Sequence, residues 1–406
     1  MITLSSREIS SKHLRLRRDR RRPRVAYFAG TMRPGHDGVT RVLYRLISHL
    51  RQRKVENVFF SPIVSPGDHE TTMHRVPSVM FPLYKDYRLA IPGQKYFEDQ
   101  LREFKPDLLH INSPCSLGYA AMRFAHKTGI PVVATYHTHF PSYARYYNAR
   151  AFEALSWNYF RRIYNGCQRV YVPSQPILLE LRDHGLKNLE FLPHGVDIEA
   201  FHPRFRSQEW RVRWGVDGKI VLLLVGRLVW EKDLRTLADA YGILDGKRND
   251  LAFVLIGDGP VRAELQAMMP KAIFPGYQSG LDLSTAFASS NIFVFPSTTE
   301  TFGNVTVEAM ASGLPPICAG EGGSAGLVKD GSTGLLTLPR DPSDFAEKIT
   351  VLADSPSLRH EISGQAFAFA RGQSWEGIFD RLLESYDRVI DEFALYRLLD
   401  KEREAA

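Results

Sequence analysis

Two glutamates, Glu300 and Glu308, lie eight residues apart in the segment FPSTTETFGNVTVEAMASG (residues 295–313). The apolar residues that open this segment predict the end of a buried strand, and a helix is predicted to begin near Gly303. Ligands of open parallel sheets bind at the carboxyl ends of the strands, and the free N–H groups at the start of a helix favour an anion such as phosphate. Because glycine has no side chain, Gly303 lets that anion come close to the backbone.

The two acids are predicted to have different tasks. A carboxylate on the loop, as at Glu300, repels phosphate but accepts hydrogen bonds from hydroxyl groups. Glu308 lies inside the predicted helix, and eight residues correspond to about 800° of helical rotation, so the two carboxylates are well separated. A ligand with a diphosphate in its middle and hydroxyls at both ends, such as a nucleotide sugar, fits all of these features. An ordinary junction between a loop and a helix, with both acids solvated, is the alternative.

Two cations are predicted at the same edge of the sheet. Arg227 follows a buried strand and Lys232 lies where the next helix begins. Both could neutralise a diphosphate and the charge of a leaving group, or Glu231 could simply pair with one of them. Asp258 and Gly259 belong to a second glycine turn at a strand end, which either shapes the base or phosphate pocket or only turns the chain.

The elements that must position these residues alternate between strands and helices, which predicts parallel sheets covered on both faces. Apolar stretches predict strands at 24–30, 107–112, 131–137, 169–174 and 189–193, and again at 219–226, 251–257, 272–276 and 291–297. Apolar periodicity predicts helices at 39–50, 231–244, 260–269 and 304–313, and a long amphipathic helix capped by Ser374. The sequence therefore predicts two doubly wound α/β halves in series, joined by the Pro-, Gly- and His-rich linker PHGVDIEAFHPRF.

Length and composition agree with this plan. The chain has 406 residues, which suggests two domains at about 100–200 residues each. No apolar run approaches the roughly 18–20 residues that span a bilayer, and the N-terminus lacks the apolar part of a secretory signal. Cys115, Cys167 and Cys318 are widely spaced, so we expect reduced thiols in a cytoplasmic protein, without a disulfide framework or a zinc motif.

The net charge of +7 is concentrated at the N-terminus, because residues 1–24 hold nine Lys or Arg and two Asp or Glu. Such a cluster is attracted to anionic lipid by about 1 kcal/mol for each basic residue near the surface. A solvated extension, or a start codon placed too early, is the alternative. Nucleic acid is a weaker option, since the remaining sequence shows neither a basic stripe nor a known reading module.

Residues 24–397 resemble the family-4 retaining glycosyltransferases of the GT-B fold. Six motifs in this order carry the resemblance: ATYHTHF, PHGVD, GRLVWEK, IGDGP, PSTTETFGNVTVEAMASG and SWE. The resemblance implies an α/β protein with two Rossmann-like domains facing a cleft. The implied boundaries are a basic tail at 1–23, an acceptor domain at 24–200, a nucleotide-sugar domain at 201–372, and a C-terminal helix at 373–406 that crosses back to the first domain.

The resemblance also implies the roles of the site residues. Glu300 contacts the donor sugar, Glu308 binds the ribose hydroxyls, and Arg227 and Lys232 hold the diphosphate. Backbone groups for the sugar and phosphate come from Phe302, Gly303, Asn304 and Val305. No metal or other cofactor is expected, because cations and a helix end stabilise the leaving group instead, and the chain has no Asp-x-Asp motif.

The first domain is expected to bind the acceptor. By the family match, His137 faces the reacting sugar; a hydrogen-bonded loop histidine is the alternative. His137 and His139 have a spacing that could hold a metal, but no third ligand is evident. The candidate acceptor-binding residues are His139, Tyr143 and Tyr146; aromatic rings in this segment could stack on a sugar, lie under a lipid headgroup or start a packed helix. Gly38 opens the first predicted helix and could bring its N-terminus to a phosphate.

The sequence departs from the family pattern in two places. Many relatives have a Gly-Gly pair in the first loop, where this chain has Gly35-His36-Asp37-Gly38, so the contact with the donor is less well defined. Relatives usually have a Pro-Glu turn near 319–336, where this chain has Ser324-Ala325-Gly326. The strand–loop–strand plan is nevertheless expected to persist.

The expected reaction is the transfer of a hexose, with retention, from GDP-mannose or a UDP-hexose to a hydroxyl acceptor. The acceptor segments most resemble the branch of sulfoquinovosyl-diacylglycerol synthases and of phosphatidylinositol or diacylglycerol mannosyltransferases, which implies a lipid or lipid-linked glycan, glycolipid synthesis and a peripheral membrane location. A polysaccharide or soluble acceptor stays open. The rival classes are a nucleotide-sugar epimerase of the same fold and a non-catalytic nucleotide-sugar-binding protein; a dinucleotide oxidoreductase is disfavoured, because no G-x-G-x-x-G follows the first strand of either half.

Overall fold

The computed structural model describes residues 22–34, 38–65, 71–80, 88–91, 94–138 and 150–404. The described strands are β1 Val25–Phe28, β2 Asn57–Ser61, β3 Thr72–Arg75, β4 Ser78–Met80, β5 Arg88–Ala90, β6 Leu108–Ile111, β7 Val132–Thr135, β8 Arg169–Val172, β9 Leu189–Phe191, β10 Ile220–Val225, β11 Leu251–Ile256, β12 Ile273–Gly276, β13 Ile292–Phe295, β14 Pro316–Ala319 and β15 Leu335–Thr337. The described α-helices are α1 Gly38–Gln52, α2 Gln94–Phe104, α3 Ser116–Thr128, α4 Arg150–Tyr164, α5 Gln175–Asp183, α6 Gln208–Arg213, α7 Leu234–Leu244, α8 Arg262–Met268, α9 Gly280–Ser289, α10 Asn304–Ala311, α11 Pro342–Asp354, α12 Pro356–Arg371 and α13 Trp375–Glu404.

The strands form two separate parallel sheets. The first has the order β3-β2-β1-β6-β7-β8-β9, and the second has the order β12-β11-β10-β13-β14-β15. Every predicted strand is present. The apolar stretches are too short for a core helix, and the interior strands are buried along most of their length, whereas the edge strands β9 and β12 are only partly buried. In each sheet the first strands are added to one side of the opening strand (β2 and β3 beside β1, β11 and β12 beside β10), and the later strands are added to its other side, beginning with β6 and β13. This reversal creates a switch point between β1 and β6 and another between β10 and β13.

Helices cover both faces of each sheet through their apolar sides. In α1, the residues Val42, Leu43, Leu46, Ile47 and Leu50 are buried against the first sheet. The predicted helix at 231–244 is divided in the structure, because Asp233 adopts a left-handed conformation with φ 52° between a short 3-10 turn and α7. This break brings the Asp233 carboxylate into the hydrogen bonds described below.

The last helix, α13, packs on the first sheet. Ser374 caps it by accepting a hydrogen bond from Gly377 N–H at 3.2 Å. Phe379, Leu382 and Tyr386 of α13 share a buried cluster with Val25 and other residues of the first sheet. At the centre of this contact, the Tyr386 hydroxyl lies 2.5 Å from His110 Nδ1 on β6. In the described part of the chain, no helix is both long and apolar enough to cross a membrane.

Candidate active site

The two switch points lie against each other. Two contacts and one close approach connect the segments that follow the strands of one sheet to those that follow the strands of the other. Thr301 Oγ1 donates to the carbonyl oxygen of His137 at 2.8 Å, and an Arg41 guanidinium nitrogen lies 3.4 Å from Glu308 Oε1. Asn304 Nδ2 would lie 3.3 Å from a Cβ atom built on Gly38. The crevice predicted for ligand binding is therefore lined by both halves of the chain.

A buried aspartate fixes the loop that carries Glu300. The Asp233 carboxylate accepts hydrogen bonds from Thr298 N–H at 3.0 Å and from Thr298 Oγ1 at 2.6 Å. It also accepts one from Arg340 Nε at 3.1 Å. Thr299 Oγ1 adds a bond of 2.8 Å to the carbonyl oxygen of Glu231. The loop after β13 is thus attached to the turn after β10, although about 65 residues separate them in the sequence.

Lys232 and Glu300 form an ion pair as a result of this attachment. The two charged side chains are 20% and 19% exposed, so both are shielded from solvent but reachable. The sequence predicts that Lys232 binds a diphosphate and that Glu300 binds a sugar. A diphosphate that enters the crevice would compete with Glu300 for the Lys232 ammonium group, since both are anions.

The start of α10 requires glycine. Gly303 has φ 93°, in the left-handed region that residues with a side chain rarely adopt, and a Cβ atom there would lie 2.2 Å from Ser324 Oγ. Gly303 is the N-cap residue and has no side chain with which to bond the first N–H groups of the helix. Because those groups and the helix dipole are positive, they favour an anion next to Gly303.

A second helix begins at the same place. Gly38 is the first residue of α1, and its closeness to Asn304, the first residue of α10, brings two helix N-termini together. Each N-terminus carries about half of a positive elementary charge. The combination is suited to a diphosphate with two or more negative charges.

Glu308 is buried on the second turn of α10. Its Oε1 atom faces Arg41, whereas its Oε2 atom is buried and has no hydrogen-bond partner among the described residues. Burial raises the pKa of the Glu308 carboxyl, and the positive charges of Arg41 and Arg45 partly offset this increase. Since an unsatisfied buried acceptor is costly, the Oε2 atom is suited to a ligand hydroxyl, as the sequence predicts.

The other residues predicted on the donor side lie along the same edge of the second sheet. Arg227 is exposed just after β10. The turn after β11 packs tightly against the next residue, Leu228. The Leu228 N–H donates to the Asp258 carbonyl oxygen at 2.9 Å, and a Cβ atom on Gly259 would lie 2.2 Å from the Leu228 carbonyl oxygen. The Asp258 carboxylate is exposed and accepts a hydrogen bond from Gly259 N–H at 2.8 Å.

Phe302 and Val305 differ in what their side chains can do. The Phe302 ring is 2% exposed and belongs to the core of the second half, so only its backbone can reach a ligand. Val305, in the first turn of α10, is half-buried and packs against the same core. The packing of both side chains agrees with a role for the backbone of this segment, because the buried apolar groups hold the backbone in place.

His137 lies just after β7 and is neutral. Burial holds the pKa of its imidazole well below the ordinary value of 6.5, and the nearby His194 and His110 lower it further. Its Nε2 atom lies 3.1 Å from Asn112 Oδ1, an acceptor, so Nε2 carries the proton. Nδ1 then has a free lone pair, is buried and has no partner in the described structure. It can accept a hydrogen bond from a hydroxyl group.

His194 also lies at the site, although the sequence predicts only that it belongs to the linker. Its Nδ1 atom lies 3.0 Å from Asn304 Oδ1, and its ring centre lies 6.0 Å from that of His137. Burial lowers the pKa of His194 to about 4. The sequence shows a histidine between the two halves of the chain, but its hydrogen-bond partner, Asn304, lies 110 positions away, so no local pattern indicates the contact.

Some predictions fall outside the residues that the structure describes: His139, Tyr143, Tyr146, the loop residues 35–37 and the basic tail up to residue 21. Among the residues that are described, no group of three or more His, Cys, Asp or Glu side chains is arranged to hold a metal ion. All three cysteines are free thiols. The segment containing Ser324-Ala325-Gly326 forms a 3-10 turn whose last glycine packs against Pro176 at the start of α5.

The two facing Rossmann-like halves define the GT-B class of glycosyltransferases, and comparison with solved structures agrees. HepE from Anabaena, solved in complex with UDP and glucose, aligns with a TM-score of 0.71 over 90% of this chain and 99% of its own, at 19% sequence identity. At this level of identity the likeness concerns the fold alone.

Comparison with family models and curated proteins gives the family. The model described as Glycosyltransferase Family 4 matches residues 36–200, and the model described as Glycosyl transferases group 1 matches residues 206–368. A GDP-mannose-dependent alpha-mannosyltransferase from Corynebacterium glutamicum is 34% identical over 90% of this chain and 89% of its own length. The sulfoquinovosyl transferase SQD2 of Arabidopsis thaliana is 36% identical over 70% of this chain and 57% of its own. The chain belongs to glycosyltransferase family 4 and is a hexosyltransferase.

Proposed function

We propose that this enzyme transfers a mannosyl group from GDP-mannose, with retention of configuration, to a hydroxyl group of a lipid or lipid-linked glycan. The observation that carries the proposal is the meeting of the N-termini of α1 and α10, with the Lys232–Glu300 ion pair on the loop before α10 and Glu308 within α10. The choice of GDP-mannose is supported by the 34% identity to a GDP-mannose-dependent alpha-mannosyltransferase.

The donor lies with its diphosphate at the two helix N-termini, held by Arg227 and Lys232. Glu308 accepts hydrogen bonds from the ribose through its unpartnered Oε2 atom. Glu300 accepts hydrogen bonds from the hydroxyls of the mannose, and His137 accepts one through Nδ1. The backbone N–H groups of the segment from Phe302 to Val305 complete the contacts with the sugar and the phosphate.

The acceptor hydroxyl attacks the anomeric carbon from the face that the nucleotide leaves. The bond from the anomeric carbon to the diphosphate oxygen breaks, a bond to the acceptor oxygen forms, and the hydroxyl proton passes to the departing diphosphate. The imidazoles of His137 and His194 have pKa values lowered by burial, so both are neutral and are weak bases. No side chain is therefore assigned as the general base.

The reaction needs no metal ion in this proposal. The negative charge that develops on the leaving diphosphate is stabilised by two cations and by two helix N-termini, which are fixed in place before the reaction begins. Activity in the presence of a chelator would support this assignment.

A lipid acceptor is supported by the basic sequence at the N-terminus. Nine Lys or Arg residues among the first 24 favour an anionic membrane surface on the cytoplasmic side. Deletion of residues 1–22 should reduce sedimentation of the protein with vesicles of anionic phospholipid and leave its behaviour with neutral vesicles unchanged. Equal binding of the full chain and the shortened chain would remove this support.

The test of the proposal is a donor panel scored by the release of nucleotide diphosphate, with and without a lipid extract. GDP-mannose should release GDP, and the extract should increase the rate and acquire label from the sugar. An epimerase would convert the sugar without net release of nucleotide, and a binding protein would bind GDP without turnover. Release from a UDP-hexose but not from GDP-mannose would overturn the choice of donor.

A further inference from the structure

His194 contacts the first residue of α10 from a position between the two halves of the chain. It lies in the linker after β9, it is 8% exposed, and its Nδ1 atom is 3.0 Å from Asn304 Oδ1. The ring is held by its neighbours: its centre is 4.9 Å from that of Phe302 and 5.8 Å from that of Trp375. Because these neighbours enclose the ring, the imidazole cannot turn, and its Nδ1 atom stays oriented toward Asn304.

The protonation state of His194 follows from its surroundings. Burial lowers the pKa of the imidazole to about 4, so it is neutral at physiological pH and has a single N–H group. Asn304 Oδ1 can only accept a hydrogen bond. The proton therefore lies on Nδ1, and Nε2 has the lone pair.

This hydrogen bond also sets the direction of the Asn304 amide group. When the oxygen of a carboxamide is bound on one side, its NH2 group points to the other. On that other side is Gly38, since Asn304 Nδ2 would lie 3.3 Å from a Cβ atom at Gly38. The NH2 group thus faces the junction of the α1 and α10 N-termini. An amide turned by 180° would present its oxygen to the same junction and repel an anion.

We propose that His194 is a positioning residue that locks the Asn304 amide with its NH2 group toward this junction, where the group donates a hydrogen bond to a phosphate oxygen of the nucleotide diphosphate. The inference rests on the proposed function, because it assumes that a diphosphate binds there. It assigns a task to the side chain of Asn304 beyond that of its backbone, and it connects the linker directly to the donor site.

Three substitutions of His194 distinguish the roles of its two ring nitrogens, Nδ1 and Nε2. In His194→Asn the side-chain NH2 group lies near the position of Nδ1 and can still donate to Asn304. In His194→Gln it lies near the position of Nε2 and cannot, and His194→Phe fills the space without a donor. We expect GDP to bind to His194→Asn within about threefold of the wild type, and about tenfold more weakly to the other two, as for the loss of a charge-assisted hydrogen bond. Calorimetry measures these affinities, and circular dichroism verifies the fold.

Asn304→Ala provides the matched test. It should weaken GDP binding about tenfold, and adding His194→Phe to it should weaken binding no further, because both changes remove the same interaction. Equal GDP affinity in all His194 variants, a stronger loss in His194→Asn than in His194→Gln, or additive losses in the double variant would each overturn the inference. Failure of the wild type to bind GDP or any other nucleoside diphosphate would instead refute the proposed function, so the two failures are distinguishable.

Discussion

Lys232 and Glu300 form an ion pair that connects the turn after β10 to the loop after β13. The two residues are 68 positions apart and were each assigned a ligand of their own. Because they are paired, the residue predicted to bind phosphate (Lys232) and the residue predicted to bind the sugar (Glu300) share one electrostatic environment. A change in one of them must alter the properties of the other.

The first prediction concerns Glu300→Gln. Removal of the carboxylate charge frees Lys232 for the diphosphate, so GDP should bind about fivefold more tightly, whereas mannosyl transfer should fall by about 100-fold because a sugar contact is lost. Calorimetry with GDP and an assay of GDP release from GDP-mannose measure the two effects. Glu347→Gln, an exposed change on α11, is the control and should alter neither quantity. Near-normal turnover in Glu300→Gln would be inconsistent with its assigned role.

The second prediction concerns Glu308→Gln. Burial raises the pKa of Glu308 above its usual 4.5, so the ionised carboxylate destabilises the folded state at neutral pH. The variant should therefore melt about 2 °C higher at pH 7.5, with weaker GDP binding because a ribose contact changes. The stability difference should shrink as the pH falls through the raised pKa of the folded state toward 4.5, and it should be lost below 4.5, where the carboxyl is protonated in both the folded and unfolded states. A lower melting temperature at pH 7.5 would contradict this account.

The third prediction concerns stability in mild acid. Burial lowers the pKa values of His110, His137 and His194, to about 3 for His110 and about 4 for His194. Below pH 6.5 the unfolded chain binds protons that these buried rings do not, so the free energy of unfolding should decrease from pH 6.5 to pH 4. Each ring contributes at most about 1.4 kcal/mol per pH unit. Urea denaturation at a series of pH values measures the slope.

His194→Asn is the control for this pH dependence, because it removes one of the three titrating rings but keeps the hydrogen bond to Asn304. Its slope below pH 6.5 should be smaller than that of the wild type. An identical slope would show that His194 titrates alike in the folded and unfolded chain.

The fourth prediction concerns Gly303→Ala. The new methyl group would meet Ser324 Oγ, and the left-handed φ of 93° adds strain, so the loss of stability should exceed about 2 kcal/mol and activity should be lost. Gly331→Ala is the matched control, because Gly331 has φ 70° but no atom within 4 Å of its Cβ position. It should lose only about 1 kcal/mol and remain active. Equal losses in the two variants would mean that the Ser324 contact is unimportant.

The sequence predicts the sheets well because their signal is local. The strands β10 and β11 are uninterrupted apolar runs, and α10 begins at the residue after the glycine that was predicted to open it. The strands β2 to β5 escaped prediction. β2 is buried but only five residues long, and β3 to β5 are three or four residues long and are for the most part only partly buried or exposed. A short, half-exposed strand has no apolar pattern to distinguish it from a loop.

The site was predictable only as separate residues. Motifs give the types of Lys232, Glu300 and His137, and their positions after strands place them at one edge of each sheet. The Lys232–Glu300 pair, the Thr301–His137 bond and the His194–Asn304 bond join residues 68, 164 and 110 positions apart. Such contacts depend on how the two sheets face each other, which no local pattern specifies.

The central claim is that a nucleoside diphosphate binds at the two helix N-termini with the help of Arg227 and Lys232 and without a metal ion. Titration calorimetry of GDP in excess chelator, against the wild type and the double variant Arg227→Ala/Lys232→Ala, tests it most directly. We predict that the wild type binds GDP under these conditions and that the double variant loses at least 100-fold in affinity. Equal affinity in the two proteins, or binding of GDP by the wild type only after a divalent metal is added, would contradict the claim.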